Sequence, residues 1–271
     1  MTTAMTDATP KRAKIILFGD SITQMSFSSS ECGWGAFLAD RYQRRADVYN
    51  RGFSGYNTSW FLKFAATDAG KADLFEHEGV QLVTIFFGAN DASDPVHNVR
   101  QHVPLEDYKN NIRQIVSLVK SHFGVGVHIV LITPPPVCHE GRLRFQKERY
   151  GDKATGILER TLELSGEYSK ALADIARELN LPLLDLWHMM QVVPSWSALL
   201  SDGLHLSSMG NRFVGEALLD IIERQLPELS VKLCPESGNV NSASKCLSID
   251  RAAPWHDEID HSQPEKAFES L

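Results

Sequence analysis

The segment KIILFGDSIT, residues 14–23, decides the fold of this chain. Residues 15–18 form an unbroken apolar run, and Gly19, Asp20 and Ser21 follow it. A continuous apolar run, rather than an alternating one, is typical of a strand that is covered on both faces, as in a parallel sheet. Because open parallel sheets bind ligands at the carboxyl ends of their strands, we expect the Ser21 hydroxyl to lie where a ligand would bind.

Four further apolar runs of this kind follow, each ending in turn residues. They are 47–53 (DVYNRGF), 80–90 (VQLVTIFFGAN), 127–136 (VHIVLITPPP) and 181–187 (LPLLDLW). Apolar residues recur every three or four positions over 105–123, 164–179 and 209–222, which predicts three helices. Strands that alternate with helices predict an α/β protein, a single three-layer α/β/α domain with a five-stranded parallel sheet.

The charge and apolar content of the chain exclude several classes of function. The 271 residues include 27 Lys and Arg against 34 Asp and Glu, which gives a formal net charge of −7. We expect no nucleic-acid partner, since such proteins present a basic face. The longest apolar runs fall short of the ~20 residues that cross a bilayer, and the N-terminus lacks an apolar signal core. We therefore expect no membrane span and a cytoplasmic location, while the oligomeric state stays open, a homodimer included.

Composition divides the chain into three segments. They are a flexible N-terminus over 1–12, the α/β domain over 13–226 and a polar acidic tail over 227–271. The tail carries eight acids and four bases, so it holds −4 of the total charge. A segment with so little apolar surface cannot offset the entropy lost on folding, and we expect it to be disordered.

Polar residues that follow the predicted strands supply the parts of an acyl-transfer site. Ser21 follows the first strand, and Asp202 and His205 lie three residues apart after the last. A histidine can take the proton of a serine hydroxyl near neutral pH, and an aspartate can orient that histidine. The backbone N–H groups of Ser21 and Gly55 and the side-chain amide of Asn90 are candidate donors to an oxyanion.

Each of these residues also has a purely structural interpretation. Ser21 could cap the helix that follows it, and Asp202 with Gly203 could form only a turn. The joint occurrence of the serine, the histidine, the aspartate and Asn90 at predicted strand ends favours a catalytic site.

We expect neither a metal nor an organic cofactor. The other histidines considered as ligands show no HxxxH pair and no acidic partner at helical spacing. They are His97, His102, His122, His128 and His139. The basic segment 137–156 is interpreted as a solvated loop or a helix start, with a lid over the site as the functional alternative.

Four blocks of the sequence resemble those of the SGNH, or GDSL-type, hydrolases. They are GDSIT at 19–23, the region around Gly55, GAND at 88–91 and DGLH at 202–205. The blocks occur in the order of the family, each after the expected strand. The runs NRGFSGYNT, PPP and DGLHLS further resemble the isoamyl-acetate-hydrolysing esterases. The resemblance covers about residues 13–226 and leaves the tail unexplained.

The resemblance implies a flavodoxin-like fold and a serine esterase that acts on small, short-chain acetyl-type esters through an acyl-enzyme. It makes Ser21 the nucleophile, His205 the general base and Asp202 the acid that orients the base. Gly55 and Asn90 would join the Ser21 N–H as oxyanion donors. The same residues would suit a carbohydrate deacetylase, a lysophospholipase, a thioesterase or an acyltransferase. In a different class, a non-catalytic binding module could keep this fold.

Overall fold

Five strands form one parallel sheet in the computed structural model, which describes residues 12–231, 256 and 259–269. The strands are β1 (Ala13–Gly19), β2 (Ala46–Gly52), β3 (Val80–Phe86), β4 (His128–Ile132) and β5 (Leu183–Leu184). Their order is β2-β1-β3-β4-β5, and every neighbouring pair is parallel. Each of the five predicted runs overlaps one of the five strands, and the order is that of flavodoxin-like folds.

Nine α-helices flank this sheet in the described part of the chain. They are α1 (Ser21–Gln24), α2 (Trp34–Arg41), α3 (Thr58–Ala65), α4 (Asp68–Phe75), α5 (Leu105–Phe123), α6 (His139–Tyr150), α7 (Leu162–Glu178), α8 (Leu186–Gln191) and α9 (Ser208–Gln225). The three helices predicted from periodicity are α5, α7 and α9. Among the described residues, no helix combines the length and the apolar character that crossing a membrane requires.

The side chains of β1 divide the core into two halves. Ile15 and Leu17 pack with residues of α2 and α9, whereas Ile16 and Phe18 pack with residues of α3, α4, α5 and α7. All four side chains are buried, and full burial of each contributes roughly 1.5–3 kcal/mol before the entropy cost of folding. Helices therefore cover both faces of the sheet, and the predicted three-layer architecture is confirmed.

The packed chain continues beyond residue 226, where the predicted domain ends. Pro227–Leu229 form a 3-10 turn, and Leu229 is 4% exposed within the core that α2 and α9 share. The Tyr42 hydroxyl donates a hydrogen bond to the Leu229 carbonyl oxygen at 2.7 Å. Residues 1–11 and most of the remaining tail lie outside the described residues, so their flexibility stays a prediction.

We expect Leu229→Ala to lower the free energy of unfolding by about 2–5 kcal/mol, because the truncation leaves a cavity in the core. Denaturant unfolding of the full chain measures this change. Val125→Ala is the matched control, since Val125 is 91% exposed and its truncation should change stability by less than about 0.5 kcal/mol. Equal stability of the two variants would show that the segment after residue 226 is not part of the core.

Candidate active site

The order of the strands brings three of the predicted site residues to one edge of the sheet. Ser21 follows β1, Gly55 follows β2 and Asn90 follows β3. Gly19, the last residue of β1, pairs with the last residue of each neighbouring strand. The three strands therefore end at the same level, with the Ser21 turn between the Gly55 loop and the Asn90 loop.

The turn after β1 leaves the Ser21 hydroxyl available for a distant partner. Asp20 caps α1, because its Oδ1 accepts a hydrogen bond from the Ile22 N–H at 2.9 Å. Ser21 is therefore the first residue of α1 and not its cap. Its Oγ lies 2.9 Å from Nε2 of His205, which is 184 positions away in the sequence.

His205 and Asp202 extend this contact into a continuous hydrogen-bonded chain. His205 Nδ1 lies 2.9 Å from Asp202 Oδ2. The other carboxylate oxygen, Oδ1, accepts the backbone N–H groups of Leu204 and His205 at 3.0 and 2.8 Å. Asp202 thus forms a turn with the residues that follow it, and it also holds the His205 ring in place. In this arrangement Nδ1–H donates to the carboxylate and Nε2 faces the serine, as a general base requires.

Helix α6 supplies a residue that the sequence analysis missed. Arg142 Nη1 donates to Asp202 Oδ2 at 2.9 Å, and each side chain is only 14% exposed. Burial raises the pKa of Asp202, but the hydrogen bonds and charge of His205 and the charge of Arg142 together lower it well below its usual range. Asp202 is therefore ionised near neutral pH and can stabilise an imidazolium.

The segment 137–156 is largely helical, with α6 followed by a 3-10 turn at Gly151–Lys153. Its beginning lies against the loop that carries Asp202, where the Cys138 N–H donates to the Gly203 carbonyl oxygen at 2.9 Å. Gly203 has a φ of +83°, and a Cβ there would lie 2.5 Å from the Cys138 carbonyl oxygen. Only glycine permits this approach, and the approach places Arg142 beside the carboxylate.

Gln101 and Arg160 are two more residues of the site that the sequence analysis missed. Gln101 Nε2 donates to the Gly55 carbonyl oxygen at 2.9 Å and to Asn90 Oδ1 at 3.1 Å. Arg160 Nη2 donates to the same Asn90 oxygen at 2.9 Å. Asn90 Nδ2 donates in turn to the Tyr56 carbonyl oxygen at 2.8 Å. Gly55 and Asn90, two of the three predicted oxyanion residues, are therefore joined through one polar network.

The expectation that the other histidines lack an acidic partner at helical spacing is wrong for His97. Its Nδ1 lies 2.9 Å from Asp94 three residues earlier, and His188 makes the same contact with Asp185 at 2.7 Å. Both side chains are more exposed than that of His205, at 44% and 64% against 29%. The feature that distinguishes His205 is the serine hydroxyl on its other ring nitrogen.

Similarity to known proteins agrees with this combination of fold and site. The chain matches the model of the GDSL-like lipase/acylhydrolase family over residues 15–218 and belongs to that family. A GDSL esterase/lipase of Arabidopsis thaliana is 42% identical over 262 residues, which cover 96% of this chain and 99% of that protein. The isoamyl acetate-hydrolyzing esterase 1 homolog of Mus musculus is 41% identical over 239 residues, 87% of this chain and 91% of that protein.

A solved structure supports the same assignment. The crystal structure of the lipase/acylhydrolase from Enterococcus faecalis superposes with a TM-score of 0.60 at 26% identity, over 78% of this chain and 95% of that chain. The expected resemblance to GDSL-type hydrolases is confirmed, and the protein is a carboxylic ester hydrolase.

Two carboxyl groups are buried beside the site, on Asp20 and Asp91. Burial raises the pKa of Asp20 to about 6 and that of Asp91 to about 7. Asp91 Oδ1 accepts the N–H and the hydroxyl of Thr58, while Oδ2 has no hydrogen-bond partner among the described residues. An unfolded aspartate releases its proton near pH ~3.9, so the folded state binds the proton more tightly. The contribution of each carboxyl group to the free energy of unfolding therefore falls as the pH rises from about 4 to the pKa of that group in the folded state.

Asp91→Asn removes the charge but keeps an oxygen that can accept from Thr58. We expect the free energy of unfolding of the variant, minus that of wild type, to increase between about pH 4 and pH 7, since only wild type ionises this group over that range. Urea unfolding of both proteins across this range measures the difference, in which titrating groups that do not interact with Asp91 cancel. A difference that does not vary with pH would contradict the raised pKa of Asp91.

Proposed function

We propose that the protein hydrolyses small carboxylic esters through an acyl-enzyme on Ser21. The observation that carries the proposal is the chain from Ser21 Oγ through the His205 ring to Asp202, with 2.9 Å at each contact. A serine hydroxyl is a weak nucleophile until a base takes its proton, and the base must lie within hydrogen-bond distance of it. His205 satisfies this condition, and Asp202 fixes its tautomer.

In the acylation step, Ser21 Oγ bonds to the ester carbonyl carbon while its proton passes to His205 Nε2. The carbonyl electron pair moves onto oxygen and gives a tetrahedral oxyanion. When this intermediate collapses, the bond between carbon and the alcohol oxygen breaks, and the proton on Nε2 passes to that oxygen. The alcohol leaves, and the acyl group remains as an ester of Ser21.

Deacylation repeats these steps with water in place of Ser21. His205 Nε2 takes a proton from water as its oxygen bonds to the acyl carbon, and a second oxyanion forms. Collapse breaks the bond to Ser21 Oγ, which regains its proton from Nε2, and the carboxylic acid leaves. Asp202 carries the charge that stabilises the imidazolium in both steps. The steps require only residues of this chain and water.

The oxyanion of both steps would be bound by the backbone N–H groups of Ser21 and Gly55 and by the Asn90 amide. This part of the proposal is supported by the register of β1, β2 and β3. The three strands end at the same level of the sheet, and these residues follow their ends. Gly55 has a φ of +79°, a conformation that glycine adopts without strain. Fixed dipoles of this kind stabilise the negative charge as it develops, and they make a large contribution to the stabilisation of the transition state in acyl transfer.

We further propose a short acyl group, with acetyl esters as the preferred substrates. Support comes from the relative in Mus musculus, which is named for the hydrolysis of isoamyl acetate, the acetyl ester of a branched five-carbon alcohol. The match to the family model over residues 15–218 includes every residue of the proposed site. The proposed partner is a small-molecule ester, and a cytoplasmic location stays a prediction.

We expect Ser21→Ala to lower kcat for p-nitrophenyl acetate by on the order of 10⁴-fold or more, because the nucleophile is lost. A fluorophosphonate probe, which reacts with activated serines, should label wild type and not this variant. Ser54→Ala is the matched control, since Ser54 is an exposed serine of the neighbouring loop, and it should keep both turnover and labelling. Turnover by a folded Ser21→Ala protein would exclude Ser21 as the nucleophile.

Acyl-chain preference is tested with p-nitrophenyl acetate, butyrate and octanoate. We expect kcat/KM to fall by roughly 10-fold or more from acetate to butyrate, the effect of added methylene groups in a pocket of fixed size. Isoamyl acetate serves as a second acetyl ester, which separates the acyl group from the leaving alcohol. Faster hydrolysis of the octanoate would contradict the short-chain proposal and leave the acyl-enzyme proposal intact.

A further inference from the structure

The polar network behind the proposed oxyanion hole includes a buried arginine. Arg160 precedes α7 and is 8% exposed. Its guanidinium donates to the Ala89 carbonyl oxygen at 2.9 Å, to Asn90 Oδ1 at 2.9 Å and to Gln101 Oε1 at 2.6 Å. The nearest carboxylate contact, from Nη1 to Glu159, is longer at 3.7 Å. The cation is thus paired mainly with neutral oxygens of the loop after β3.

The backbone holds Arg160 in this position. Arg160 forms an isolated antiparallel bridge with Ser93, and the Asp94 N–H donates to the Glu159 carbonyl oxygen at 2.8 Å. The segment before α7 is therefore fastened to the same loop that carries Asn90. A buried charge is costly unless its donors are satisfied, and Arg160 directs three of its five N–H groups to oxygens of this loop.

The contacts of Asn90 decide which way its amide points. Its Oδ1 accepts from both Arg160 and Gln101, and its Nδ2 donates one hydrogen to the Tyr56 carbonyl oxygen. An amide nitrogen carries two hydrogens, so one N–H is left for a ligand. Reversal of the amide would place its NH₂ group against the donors of the arginine and the glutamine. The cation also draws electron density from the amide, which strengthens the remaining N–H as a donor.

Gln101 connects this amide with the other side of the hole. The same NH₂ group that contacts Asn90 donates to the Gly55 carbonyl oxygen at 2.9 Å. The backbone carbonyl oxygen of Gln101 also accepts a hydrogen bond from the Asn57 side-chain amide at 2.8 Å. The loops after β2 and β3 are therefore linked at both the side chain and the backbone of one residue.

We propose that Arg160 and Gln101 form a clamp that orients Asn90 and Gly55 toward the oxyanion. This inference rests on the proposed function, because it assigns positioning residues to that reaction. Neither residue of the clamp would touch the substrate. The alternative is that Arg160 and Gln101 only hold two loops together, in which case their loss affects stability without a specific effect on the transition state.

A double-mutant cycle separates these two roles. We expect Asn90→Ala to lower kcat for p-nitrophenyl acetate by ~100–1,000-fold, the usual cost of a lost oxyanion donor. Arg160→Met should lower kcat by ~10–100-fold, less than Asn90→Ala does, because the amide stays in place but loses its orientation. KM should change by less than about three-fold. In the Asn90→Ala background, Arg160→Met should cost no more than about two-fold, because the group that it orients is already absent.

Each rate is divided by the concentration of sites that a fluorophosphonate titrates, so an unfolded fraction does not count as lost catalysis. Arg113→Met is the control, since Arg113 forms a surface ion pair with Glu178 and should leave kcat unchanged. Losses from Asn90→Ala and Arg160→Met that multiply in the double variant would overturn the clamp but leave the proposed function standing. A folded Asn90→Ala protein with wild-type kcat would remove Asn90 from the proposed hole and overturn the clamp with it.

Gln101→Met keeps the proposal testable if Arg160→Met does not fold. We expect it to lower kcat at unchanged KM, and to weaken binding of a short alkylboronic acid by the same factor. Such an acid forms a tetrahedral adduct on serine that imitates the oxyanion intermediate. Wild-type kcat and wild-type boronate affinity in a folded Gln101→Met protein would overturn the clamp.

Discussion

The pairing register of β1 is the constraint on which the site depends. Because β1 ends level with β2 on one side and β3 on the other, the loops after the three strands surround one point. A shift of one residue would turn each side chain of β1 to the opposite face, so the two halves of the core fix the register. The same packing that stabilises the sheet therefore places Ser21 opposite His205, across 184 positions of sequence.

Two arginines serve the two halves of this site. Arg142 contacts the carboxylate of Asp202, which faces the base, and Arg160 contacts the amide of Asn90, which faces the proposed oxyanion. Burial lowers the pKa of Arg160, and the positive charge of Arg142 lowers it further. The negative charges of Glu159, Asp20 and Asp202 act in the opposite direction. In the proposed mechanism, the imidazolium would form beside the Asp202 carboxylate, and the oxyanion would form beside the Asn90 amide that Arg160 contacts.

The five strands, the three long helices and the four motif blocks could be predicted from the sequence, because each of them leaves a local pattern. Continuous apolar runs identify strands, and Asp202 and His205 identify each other by their spacing. Arg142, Arg160 and Gln101 leave no such pattern, since the site residues that they contact lie 11 to 71 positions away. Likewise, Leu229 is one leucine in a polar segment, and only the three-dimensional packing shows that it belongs to the core.

The contact between α6 and the loop of Asp202 limits how this enzyme can be redesigned. Gly141 and Gly203 meet backbone to backbone, and a Cβ on Gly141 would lie 2.8 Å from the Gly203 Cα. A side chain at either position would push the helix outward and draw Arg142 away from the carboxylate. Directed evolution of this enzyme would therefore do best to leave both glycines unchanged and to vary the exposed positions of the helix, such as Leu143 and Arg144.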